Sequence, residues 1–198
     1  MTLATDRVAG ELVDALRASG HWEATVFVCA SDNGADPNVD GGGSNWPLRG
    51  QKGSYWEGGV RTQAFVHSKL LQATKGRVYG GLFHATDWLP TLLKDHAVSS
   101  ADLDGLDQWA ALKACASRGA CAGGPRAEVL VNADNEVCDG NSTAPECLAG
   151  AKTYAHGALI NGSLKLLVNA QWMTRYALPD GAELQLPECV HAADRMAA

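Results

Sequence analysis

Long apolar runs, a basic stripe and a leader segment are all missing from this chain. Its longest apolar stretches, such as Thr25 to Ala30 and Leu164 to Val168, fall well short of the roughly 20 residues that cross a bilayer, so no membrane span is expected. With 16 basic residues, 22 acidic residues and a net charge of -6, nothing lines up to track phosphates, which argues against nucleic acid as a partner. The opening Met-Thr-Leu-Ala-Thr-Asp-Arg-Val has neither the basic flank nor the apolar length of a signal peptide. A zinc site is disfavoured too: the close pairs Cys115 with Cys121 and Cys138 with Cys147 lack the spacing of a zinc knuckle, and no histidine pair completes one.

What is present points to the secretory route. Both cysteine pairs lie in Gly, Ser, Asn and Pro-rich sequence, where local disulfides close small loops. Asn141-Ser142-Thr143 and Asn161-Gly162-Ser163 fit the acceptor pattern for N-glycosylation. Cys29 falls inside an apolar strand pattern and reads as a small buried hydrophobe. A secretory chain without a leader is expected to have further sequence upstream.

The 198 residues, 46% of them hydrophobic, suffice for one sizeable core or a core fragment with a smaller lobe. From Asp6 to Ser19, Val8, Leu12, Val13 and Leu16 follow helical spacing, and Gly20 is placed to end an amphipathic surface helix. Thr25 to Ala30 reads as a strand buried on both faces by helices, which means an α/β class. A polar, glycine-rich loop follows from Ser31 to Gly59, and so long a loop is usually functional. Another strand is expected at Arg61 to His67, then a basic, mobile segment over Lys69 to Arg77. Thr86 is placed to cap a helix over Asp87 to Lys94, and Ser99 to Cys147 reads as an irregular connector. Two β-like runs, Tyr154 to Ile160 and Leu164 to Val168, flank Asn161-Gly162 as a hairpin does.

Chemistry concentrates in two segments. Ser31-Asp32-Asn33-Gly34 lies at the end of the first strand, where open sheets gather ligands. Asp32 and Asn33 offer hard oxygens suited to calcium or magnesium, although calcium takes about six to eight ligands and the same letters also make a plain turn. In the second segment Lys52 stands between Gly50 and Gly53, where a flexible backbone brings an ammonium group close to an anion; the alternative is a solvated surface lysine. Glu57 and Arg61 read as a charge pair bracing a turn. His67, His84 and His156 read as structural or surface residues.

The order Ser31-Asp-Asn-Gly34, Asn45-Trp-Pro-Leu-Arg-Gly50, Lys52 and Trp56-Glu-Gly-Gly-Val-Arg61 resembles the sulfatase family, with its closest likeness to the arylsulfatase B type. The likeness extends to His84-Ala-Thr-Asp-Trp-Leu-Pro-Thr-Leu92 and Asp104-Gly-Leu-Asp-Gln-Trp109, and more weakly to Glu128-Val-Leu-Val-Asn132 and Ala158-Leu-Ile-Asn-Gly-Ser-Leu-Lys-Leu-Leu167. It implies an alkaline-phosphatase-like α/β fold. Residues 1–110 would be the carboxy-terminal portion of the large domain, and 111–198 a connector with a small antiparallel subdomain. It also implies that Asp32 and Asn33 ligate Ca2+ and that Lys52 contacts the sulfate of a sulfated glycan or aryl sulfate. The family's nucleophile is a formylglycine made from a cysteine in Cys-x-Pro-x-Arg, and none of the six cysteines here stands in that word. The chain is therefore expected to be an inactive piece of a secretory or lysosomal hydrolase. The rival readings are a non-catalytic glycan or anion-binding protein and a hydrolase of phosphate or phosphonate esters.

Overall fold

A computed structural model describes residues 2–39, 42–74, 76–93, 103–115, 120–121, 123–137, 152–169, 175–177 and 183–185. Helix α1 spans Thr2–Ala18, starting four residues ahead of the Asp6 expected from its apolar spacing. It stops where Gly20 says it should. Gly20 takes φ 75°, its amide donates to Arg17 O, and the His21 amide donates to Leu16 O, the paired bonds of a Schellman cap. The apolar stripe of α1 remains open, with Val8 59% and Leu12 50% exposed.

The chain divides into two compact units, Met1–Ala30 with Ala64–Pro125 and Ser31–Gln63 with Arg126–Ala198. In the first, β1 (Val26–Ala30) pairs antiparallel with β2 (Ala64–Ser68). The strand buried on both faces is thus not found. Val26 and Val66 point to a core of Leu71, Trp109 and Leu112, whereas Cys29 is exposed and Phe65, its cross-strand partner, is 52% exposed. The apolar run reports strand character but not which side is covered, and alternation puts Cys29 on the open side. Each fully buried large side chain in this core contributes about 1.5–3 kcal/mol.

Other expectations in this unit are also revised. Lys69–Thr74 is a 3-10 segment that delivers Leu71 to the core, not a loose basic stretch. Thr86 does not cap the next helix. His84 does, its ring accepting from the Thr86 amide while Asp87 Oδ2 accepts from the His84 amide at 2.9 Å. The 3-10 turn Ala85–Asp87 then runs into α3 (Trp88–Leu93). Part of the supposed connector is helix α4 (Trp109–Ala114). Cys115 and Cys121 form the anticipated disulfide, next to the short parallel pair β3 (Val78–Tyr79) and β4 (Ala120–Cys121). Cys138, Cys147, Asn141 and the end of the expected Asp87 to Lys94 helix lie outside the described residues.

The second unit is built on a three-stranded antiparallel sheet of β5 (Glu128–Val137), β6 (Thr153–Asn161) and β7 (Leu164–Val168). Strand β5 occupies sequence read as irregular, and its register slips between Leu130 and Asn132. The hairpin around Asn161-Gly162 is where it was expected, with Gly162 at φ 56°. One face of the sheet buries Val129, Ala158 and Lys165, while the other exposes Leu130, Leu164, Leu166 and Val168. A separate antiparallel pair joins β8 (Arg175–Ala177) to β9 (Glu183–Gln185).

Candidate functional site

Between β1 and β2 the chain makes a long excursion, Ser31 to Gln63, with little regular structure beyond α2 (Glu57–Val60). It is held by polar bonds and close backbone contacts. At its base the Ser31 amide donates to Gln63 O at 3.0 Å, and the Gly34 amide donates to Gly59 O at 2.9 Å. Gly34 needs no special φ. It needs the lack of a side chain, because a Cβ there would lie 1.7 Å from Gly58 O. Gly58 is pressed in turn against Gly50 O, at 2.2 Å from its own would-be Cβ.

Asp32 is exposed and Asn33 half-buried. Asp32 Oδ1 accepts from the Asn33 amide at 3.0 Å, and Ser31 Oγ donates to Asn33 O at 2.9 Å. The chain bends at these two residues, and Asp32 lies open to solvent. Asn45 stitches the neighbouring segments together. Its Oδ1 accepts from the Ala35 amide at 2.8 Å, and its Nδ2 donates to Ala35 O at 2.9 Å and Gly50 O at 3.2 Å. The Lys52 amide donates to the same Ala35 O at 3.0 Å. The backbone at Lys52 therefore lies one hydrogen bond from the strand of chain that carries Asp32 and Asn33. Its exposed side chain sits between Gly50 (φ 88°) and Gly53 (φ 85°), a backbone only glycine adopts easily.

The far end of the excursion is fixed more firmly. Arg49 is buried, with its guanidinium 3.8 Å from the Trp56 ring centroid, a cation–π contact. Glu57 does not pair with Arg61. Its Oε1 meets Lys165 Nζ of β7 at 2.6 Å, and the Lys165 side chain is only 5% exposed. Tyr55 reaches two strands: Asn132 Nδ2 donates to its hydroxyl and His156 Nδ1 bonds it, both at 2.5 Å, with the Tyr55 and His156 rings stacked. These partners, together with Asn45, were missed in the sequence. Their separations of 77, 101 and 108 residues leave no local pattern to find.

As for a cation, Asp32 and Asn33 fit in kind, offering hard oxygens, but not in number. Among the described residues no cluster of three or more His, Cys, Asp or Glu surrounds a possible ion position. Of the histidines read as structural or surface residues, His84 caps a turn, His67 stacks on Trp22 with centroids 5.1 Å apart, and His156 holds Tyr55.

Comparison with known proteins gives three likenesses. A family model described as Sulfatase matches residues 1–95. Arylsulfatase J of Mus musculus is 44% identical over 123 residues, which cover 61% of this chain and 19% of that protein. The crystal structure of PsFucS1 sulfatase from Pseudoalteromonas sp. superposes with a TM-score of 0.56 at 24% identity, covering 92% of this chain and 33% of that one. The last likeness concerns fold, and it agrees with the mixed helices and antiparallel sheets seen here. The chain thus spans a small share of its curated relative's length.

Proposed function

We propose, taking as premise the chain's kinship with the sulfatase family in its arylsulfatase branch, that it forms part of a calcium-dependent hydrolase of sulfate esters. The observation that carries this reading is the bond from the Lys52 amide to Ala35 O, which joins the loop of the sulfate-contacting lysine to the Asp32–Asn33 turn. In this reading Asp32 and Asn33 hold Ca2+ with further ligands from beyond these residues. Lys52 binds the sulfate of a sulfated glycan or aryl sulfate and offsets its charge. A calcium ion bound there supplies positive charge that polarises the sulfuryl group.

The fold is then alkaline-phosphatase-like, with 1–110 the end of its large domain and 111–198 a connector and small β subdomain. The open apolar stripe of α1 and the exposed Phe65 support the view that more of the domain packs there. Without a Cys-x-Pro-x-Arg word the 198 residues alone are inactive, and the parent is secreted or lysosomal. Asn161 is exposed at a hairpin tip, open to glycosylation.

Purified chain supplied with calcium and a chromogenic aryl sulfate is expected to release no sulfate, and turnover would overturn its inactivity. The site assignment is tested in a hybrid, with the matched stretch replacing its counterpart in mouse arylsulfatase J. The hybrid should hydrolyse the aryl sulfate, and Lys52→Ala should slow it about 100-fold or more. A folded, active hybrid indifferent to Lys52→Ala sinks the assignment.

A further inference from the structure

The tip of the excursion that carries Lys52 has almost no packing of its own. Lys52 and Gly53 are exposed, and a Cβ added at Gly53 would meet nothing within 4 Å. Yet three and five residues later, Tyr55 and Glu57 are tied to one face of the β5–β6–β7 sheet. Cross-strand alternation places Asn132, His156 and Lys165 on that face, alongside buried Val129 and Ala158. The Tyr55 hydroxyl accepts from Asn132 Nδ2, and with the imidazole proton on Nε2 its own proton donates to His156 Nδ1.

A lone hydrophobic contact would hold the loop against the sheet but would leave it free to slide. A stacked ring with a hydroxyl bonded on two sides, beside a nearly dry ion pair, fixes both position and rotation. From this geometry we infer that Tyr55, with His156 and Asn132, is a positioning device that sets where Lys52 meets its anion. The inference rests on the reading of Lys52 as the sulfate contact. Tyr55 itself is a positioning residue, not a catalytic one, because it acts through the three-residue link to Lys52. Misplacing a charge-bearing group by about 1 Å costs up to about 100-fold in a reaction, so a looser loop matters even when the fold survives.

The test uses the 198-residue chain, inorganic sulfate as probe at constant ionic strength, and the amide signals of Gln51 and Gly53 as readout. Sulfate should shift these signals, and Lys52→Ala should abolish the response. Tyr55→Phe, which keeps the ring, and His156→Ala should each weaken the apparent affinity about tenfold while the β5–β7 signals stay in place. His156→Asn, whose amide oxygen takes the place of Nδ1 as acceptor, should restore it to within about twofold. Wild-type affinity in Tyr55→Phe and His156→Ala, with Lys52→Ala impaired, overturns the positioning role and spares the site. Equal loss in His156→Asn and His156→Ala also overturns it. Wild-type response in Lys52→Ala overturns the site reading itself. Should His156→Ala unfold, Tyr55→Phe and His156→Asn carry the test.

Discussion

Asp87 and Asp32 occupy regions built on opposite terms. Asp87 has no exposed surface, and its carboxylate accepts from the His84 amide at 2.9 Å, the Leu106 amide at 2.8 Å and Gln108 Nε2 at 3.0 Å. The knot is extended by Tyr79, whose hydroxyl donates to Gln108 Oε1 at 2.9 Å, and by Thr91 Oγ1, which accepts from the Gln108 amide. Asp32 lies exposed on a turn where Oδ1 accepts from its neighbour's amide, and the surrounding loop is held by Asn45 and by glycine contacts. An acid enclosed by donors is committed to folding, whereas one whose oxygens reach solvent is available to a ligand. Family-like words cover both regions, yet the words around Asp87 and Gln108 turn out to be architecture.

Substitutions can break or sharpen this contrast. Asp87→Ala takes the acceptor from the His84 and Leu106 amides and leaves Gln108 Nε2 with Leu82 O alone; it should cost about 3 kcal/mol or more, read by urea denaturation, and a loss under about 1 kcal/mol would show the knot to be dispensable. Asn45→Ala removes the clamp on Ala35 and Gly50 and should cost about 2 kcal/mol, with faster exchange of the Lys52 amide as its local sign. Tyr79→Phe should cost about 1 kcal/mol at neutral pH.

Burial, and secondarily the charge of Asp87, raise the Tyr79 phenol above its ordinary 10.0. A raised folded value favours the protonated, folded state, so the contribution is complete below pH 10.0 and is lost as pH climbs through the folded value. The Phe variant should therefore lose less stability than wild type along the alkaline limb, and parallel limbs would refute this account. Asp32→Ala should change stability by no more than about 0.5 kcal/mol while weakening calcium binding, measured by calorimetric titration; unchanged calcium binding would return Asp32 to a plain turn.

The parts legible in the sequence were those that glycine or short spacing dictates. Gly20 ends α1, Gly162 turns the β6–β7 hairpin, and Cys115 bridges Cys121 six residues on. What was misread depends on partners far along the chain. The apolar run at β1 cannot announce that β2 pairs with it antiparallel, so Cys29 looked buried. Strand β5 was missed because Asn132, Asp134 and Asn135 break its alternation, yet Asn132 is polar in order to reach Tyr55. Thr86 looked the better cap by residue type, but the His84 ring and the Asp87 carboxylate filled that role together. At the candidate site, Asp32, Asn33 and Lys52 were visible as words in order; Asn45, Tyr55, His156 and the Glu57–Lys165 pair became visible only once the excursion and the sheet were folded.

The bare backbone contact at Gly34 has a consequence for any saturation library built on this chain. With the Gly58 carbonyl 1.7 Å from the first side-chain carbon, alanine and tryptophan would be depleted there to the same degree, since the obstruction precedes any difference in bulk. Selection scores at that codon would split into glycine and everything else, a step where neighbouring codons show a gradient.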